Sequence, residues 1–182
     1  MADPLILALG GTRSGKSRFG LAAATRLAGN PGRVWFLATA WPGDPELDDR
    51  IARHRAARPA SWPTIDVGAD LVAALAATAP DEPALIDGFT LWLSALLGDG
   101  VPAIDPILDG PLARALAAIA DRPGPVVVVS DEVGSGIVPM HAGARVYRDL
   151  VGIAHQRLGA LADEAYLLVA GLPITLKGGR GS

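Results

Sequence analysis

Residues 5–17, "LILALGGTRSGKS", decide the fold. The first part is a continuous apolar run as long as a buried strand, and the second is a glycine-rich turn ending in Gly-Lys-Ser. Gly10, Gly15, Lys16 and Ser17 fit the spacing G-x-x-x-x-G-K-[ST], directly after a predicted strand and before a predicted helix over 16–28. In that setting Gly10, Gly11, Thr12, Arg13, Ser14 and Gly15 wrap a phosphate with backbone N–H groups, and the helix start adds a favourable dipole. Lys16 is placed to bridge β and γ oxygens, and Ser17 to ligate magnesium. The plainer alternative is a glycine-rich strand-to-helix turn. A full match in the required context favours binding of a nucleoside triphosphate.

Outward from this stretch, short apolar runs at 33–39, 84–88, 125–130 and 164–170 read as further strands. Alanine-rich, helix-period segments separate them, with helices predicted over 45–57, 69–78, 89–97, 111–121 and 142–161. Continuous apolar strands alternating with helices predict a doubly wound, mainly parallel α/β sheet with helices on both faces. The expectation is a single P-loop NTPase-type domain over 1–177, with 178–182 a flexible tail. The proline-punctuated stretch "PAIDPILDGP" (102–111) reads as a loop.

Composition narrows the function. The 182 residues are enough for one substantial core. Half are hydrophobic and mean hydropathy is +0.32, yet no apolar run approaches the ~20 residues of a membrane span. The start "MADPLILALGG" carries an acid where a secretory signal carries a basic stretch, so a cytoplasmic protein is expected. With no cysteine, thiolate chemistry is excluded. A net charge of -3 lacks the footprint of a general nucleic-acid binder.

A magnesium nucleotide also needs an acid at the end of a second buried strand. Asp87 ends "ALID", and Asp131 with Glu132 follows "VVVVS". Asp87 is the first choice and Glu132 the second, although either is also an ordinary cap or turn former.

The segment "DPELDDRIARHRAARP" (44–59) has acids in its first turn, arginines late and Pro59 as a stop. Spacing by four puts Glu46, Arg50, His54 and Arg58 on one stripe beside Leu47 and Ile51, so His54 lies at the core edge. It reads as a tucked polar residue, a nucleic-acid contact, or a group acting on phosphate. Nearby cations favour a neutral imidazole able to attack phosphorus, and they balance phosphate charge.

Several separated stretches resemble one family: the bifunctional adenosylcobinamide kinase / adenosylcobinamide-phosphate guanylyltransferases of cobalamin assembly. The matching pieces are "GGTRSGKS", "FLATA", "DPELDDRIARHRAARPASWPT", "IDGFTLWLSALL", "VVVVSDEVGSGIVP" and the run from "YRDLVG" to "AGLPITLK", in order along nearly the whole chain. The resemblance implies two reactions. The hydroxyl on the aminopropanol arm of adenosylcobinamide takes a γ-phosphoryl group from ATP or GTP. GTP then guanylylates a histidine, which passes GMP to adenosylcobinamide phosphate. His54 occupies the position of that histidine.

By the same resemblance Arg55 and Arg58, with Ala56 and Ala57 between them, hold phosphates, and Thr39, Ala40, Trp41, Asp66 and Asp87 lie near the nucleotide. A carboxylate suits the N1–H and N2–H₂ donors of guanine. Magnesium, with Ser17, Asp87 and Glu132 as its protein ligands, and a homotrimer are implied as well. The family commonly has Asn where this chain has Asp131 and His155, and the segment after the magnesium strand is short. Two other functions compete: a monofunctional small-molecule P-loop kinase, and a non-catalytic GTP-binding switch.

Overall fold

A computed structural model of the chain describes residues 3–29, 32–40, 55–56, 58–98 and 103–178. The apolar run at the start becomes β1 (Leu5–Gly10), and the helix after the glycine turn becomes α1 (Lys16–Ala28). The chain continues through β2 (Trp35–Ala38), β3 (Thr64–Asp66), α2 (Leu71–Ala76), β4 (Ala84–Asp87) and α3 (Phe89–Leu97). Then follow α4 (Asp105–Asp109), α5 (Pro111–Ala120), β5 (Val126–Asp131), α6 (Ala142–Leu161), β6 (Glu164–Val169) and β7 (Leu172–Lys177).

The sheet runs β3-β2-β4-β5-β1-β6-β7, parallel throughout except for β7, which pairs antiparallel with β6. The α/β expectation holds, with three differences. A short strand, β3, is absent from the predicted strands, and β7 lies beyond the last of them. The stretch 102–111 holds the short helix α4, whose first turn carries Pro106, a position where the missing N–H costs nothing.

Alternation along the strands feeds two cores. Leu5, Leu7, Leu37, Ile86, Val126 and Val128 face Leu71, Phe89, Trp92, Leu112, Leu150 and Leu158 from α2, α3, α5 and α6. Ile6, Ala8, Phe36, Leu85, Val127 and Val129 face α1 on the opposite side. Each fully buried large side chain contributes about 1.5–3 kcal/mol relative to exposure. On the α1 face the helix sits close to the sheet at Gly20, where a Cβ would collide with the Val129 side chain.

Because β5 lies between β1 and β4, the carboxyl ends of these strands converge at the amino end of α1. Parallel register aligns Gly10 with Asp131 and Asp87 with Val129. Open parallel sheets bind ligands in this crevice outside their strand ends.

Among the described residues, no helix is long and apolar enough to cross a membrane.

Candidate nucleotide site

The turn from β1 to α1 has the backbone that the glycine spacing calls for. Gly15 takes φ 95°, a conformation glycine adopts freely. Arg13 takes φ 56° without being glycine, strain of about 1–3 kcal/mol of the kind found where a loop is shaped for a ligand. The Ser14 side-chain hydroxyl is buried with no hydrogen-bond partner, an orphaned polar group inside the loop.

Lys16 is 4 % exposed and turned into the crevice. Its Nζ lies 2.5 Å from Asp131 Oδ1 and donates to the Gly11 carbonyl at 3.2 Å. The Thr90 hydroxyl donates to Asp131 Oδ2 at 3.1 Å, and the Tyr147 hydroxyl donates to the Thr90 carbonyl at 3.1 Å. Burial pushes the Tyr147 phenol up to about 12, so it stays protonated as a donor. Asp131 therefore holds the lysine while itself being held by α3 and, through α3, by α6.

Ser17 Oγ donates to Asp87 Oδ1 at 3.3 Å, joining the helix start to the end of β4. A hydroxyl and a carboxylate oxygen converging beside a phosphate loop match the donors that a hard divalent cation takes. Both Glu132 carboxylate oxygens accept backbone N–H groups of the following turn, from Gly134 at 2.6 Å and Ser135 at 3.2 Å. Burial pushes the Glu132 carboxyl up, but hydrogen bonding from the Ser135 side chain and then from these two amides outweighs it and holds the group below its ordinary value. The geometry thus puts Asp87 closest to Ser17 and gives Glu132 a turn to brace.

Thr39 is buried at the end of β2, where its hydroxyl reaches the carbonyls of Asp87 at 2.9 Å and Gly88 at 2.6 Å. Ala40 follows it, half-buried. Asp66 ends β3, exposed, and its register partner Ala38 pairs on its other side with Asp87. The two carboxylate-bearing residues therefore stand two strand spacings apart, roughly 10 Å. Arg58 covers the Phe36 ring at 3.8 Å and donates to Thr64 Oγ1 at 2.7 Å. Burial lowers its pKa first and Arg55 second, while Asp87 and Asp66 oppose them. Arg55 and Ala56 are exposed, and with Arg58, Trp62 and Thr64 they line an open pocket of about 430 Å³. His54, Trp41 and Ala57 lie outside the described residues.

Sequence reasoning did not find the partnership of Lys16 with Asp131, nor the Thr90 and Tyr147 supports. It also missed the partner of His155. The Nε2 atom of this side chain lies 2.7 Å from Ser130 Oγ, directly behind Asp131. Burial drops His155 to about 4, although Glu132 and Asp131 pull the other way. It is neutral at physiological pH. The polar end of "VVVVSDE" was the available signal, but strand order was needed to give it partners.

The model of the family described as cobinamide kinase / cobinamide phosphate guanyltransferase matches residues 6–176. The chain is 42 % identical over 174 residues to the bifunctional adenosylcobalamin biosynthesis protein CobP of Pseudomonas aeruginosa, covering 94 % of this chain and 96 % of that protein. It is 37 % identical to the bifunctional adenosylcobalamin biosynthesis protein CobU of Salmonella typhimurium and 35 % identical to that of Escherichia coli, covering 95 % of this chain and 99 % of each relative. A phosphate loop at the head of a parallel sheet, matched almost from end to end by such relatives, places the chain: it belongs to the cobinamide kinase / cobinamide phosphate guanyltransferase family.

Proposed function

We propose that the protein carries out both reactions of its family on one corrinoid. In the first, the hydroxyl oxygen on the aminopropanol arm of adenosylcobinamide attacks the γ-phosphorus of ATP or GTP. The bond from that phosphorus to the bridging oxygen breaks, the nucleoside diphosphate leaves, and the hydroxyl proton passes to solvent. In the second, a ring nitrogen of His54 attacks the α-phosphorus of GTP and pyrophosphate leaves. A phosphate oxygen of adenosylcobinamide phosphate then displaces the histidine, giving adenosyl-GDP-cobinamide.

The observation that carries this reading is the convergence of Lys16, Asp131, Ser17 and Asp87 at one phosphate loop, in a chain matched along its length by the family. Lys16 neutralises phosphate charge that grows on the leaving group, and the loop's N–H groups orient the chain of phosphates. Ser17 and Asp87 would hold Mg²⁺, which supplies charge neutralisation when bound, while Glu132 braces the turn that follows β5. Arg55 and Arg58 suit the phosphates of the guanylyl step, and Asp66 suits a guanine edge. A phosphoramidate intermediate divides one difficult displacement into two easier ones. We place the reactions in the cytoplasm, in a homotrimer.

Incubation with α-³²P-labelled GTP tests the second step. The protein should retain an acid-labile label after denaturation, and the label should vanish in His54→Ala while cobinamide phosphorylation persists. Phosphorylation with no labelled protein would leave a kinase alone. Nucleotide binding with neither activity would leave a switch.

A further inference from the structure

The segment between β5 and α6 leaves the phosphate site directly and is held firmly in place. Glu132 accepts the Gly134 and Ser135 amides, Arg148 donates to the Gly134 carbonyl, and Arg145 Nη1 donates to the carbonyls of Pro139 at 3.0 Å and Met140 at 2.6 Å. Its return is tied to the same place, because Tyr147 of α6 bonds Thr90, which bonds Asp131. Yet this braced loop turns its apolar side chains outward: Ile137 is 97 % exposed, Met140 94 % and Val138 63 %. Large aliphatic groups fixed in water on an ordered backbone form a surface prepared for an apolar partner.

We propose that Ile137, Val138 and Met140 form the platform on which the macrocycle of the cobinamide acceptor rests. This assignment depends on the kinase reading above. The acceptor's reactive hydroxyl sits on a short arm and must reach the γ-phosphate beside Lys16. The bulky corrin cannot follow it into a crevice lined by the phosphate loop, so it lies against the surface next to the crevice mouth. Ile137 is within about 20 Å of chain reach from Asp131, the residue in contact with Lys16. A methyl-studded macrocycle is matched by aliphatic side chains, and its amide-bearing rim remains in water. Three exposed side chains are far fewer than the roughly 20–30 residues a side that a stable contact between protein copies uses. The regular stripe of Leu172, Ile174 and Leu176 on edge strand β7 is the better candidate for such a contact.

The test compares wild-type protein with Ile137→Ser/Met140→Ser. Both side chains touch little else, so the fold should be unaffected. Equilibrium dialysis with cobinamide and steady-state kinase assays should show cobinamide binding weakened and its KM raised by about tenfold or more, with KM for the nucleotide within about twofold. Light scattering should show an unchanged mass. An unchanged cobinamide KM overturns the assignment. So does a reduced mass with normal cobinamide affinity, which would give the loop to a second copy of the chain. If the wild-type protein neither binds nor phosphorylates cobinamide, the kinase reading itself fails.

Discussion

Lys16 Nζ stands 2.5 Å from Asp131 Oδ1, so the lysine proposed to meet phosphate has a carboxylate partner within the protein. On the proposed function, a nucleotide would compete with Asp131 for Lys16 and leave that carboxylate beside phosphate. Asp131→Asn keeps the shape and removes the competing charge. Affinity for ATP or GTP should rise about three- to tenfold, measured by calorimetric titration. Lys16→Ala should weaken the same binding roughly tenfold to a hundredfold. Equal affinity in wild type and Asp131→Asn would mean that the pair does not oppose binding.

The convergence of Ser17 and Asp87 leads to a metal prediction. Asp87→Asn should raise the magnesium concentration needed for half-maximal kinase activity by about tenfold, while nucleotide binding in EDTA changes little. Chelation should abolish turnover in the wild-type protein. A magnesium requirement unaltered by Asp87→Asn would move the metal ligand elsewhere.

His155 supplies a pH dependence with a definite sign. Its folded pKa is depressed to about 4 from the usual 6.5. Between these values the unfolded chain binds a proton that the native protein refuses, so stability rises with pH through that window. The contribution is fully present above about pH 6.5 and is lost as pH falls toward 4. Allowing for partial exposure, it amounts to about 1–2 kcal/mol. Denaturant melts at several pH values should show this slope, and His155→Asn should flatten it.

Gly171 at φ 81° follows Ala170 at φ 52°, and together they make the tight turn between β6 and β7. A β-branched residue is strained at such an angle, so Gly171→Val should lower stability by about 1–3 kcal/mol. Its amide also donates to the Ser14 carbonyl at 2.9 Å. Nucleotide affinity should therefore fall with stability in this variant, seen by thermal melting with and without GTP. Lower stability with unaltered affinity would separate the turn from the phosphate loop.

What could be read from the chain depended on how local each signal was. "LILALGGTRSGKS" contains its own strand, turn and helix start, and β1 and α1 follow it closely. Buried strands such as "VVVVS" are legible because both of their faces meet apolar layers. Strand β3 spans only Thr64–Asp66, too short for any periodicity to show. Strand β7 alternates Leu172, Ile174 and Leu176, but Pro173 within it and exposure along its whole length are not the marks of a buried strand. The pairing of Lys16 with Asp131 depends on β5 lying between β1 and β4, a relation between segments more than a hundred residues apart. Asp87 could be singled out because it ends an apolar run, while Thr90 and Tyr147 look like ordinary helix residues.

The bond from the Gly171 amide to the Ser14 carbonyl fastens the last hairpin of the sheet to the loop that cradles phosphate. A load applied to the C-terminal edge, for example by a fused tag, would be carried through one peptide unit to the phosphate loop. Occupancy of the phosphate loop should in turn stiffen that edge. The last hairpin and the phosphate loop then share one mechanical joint.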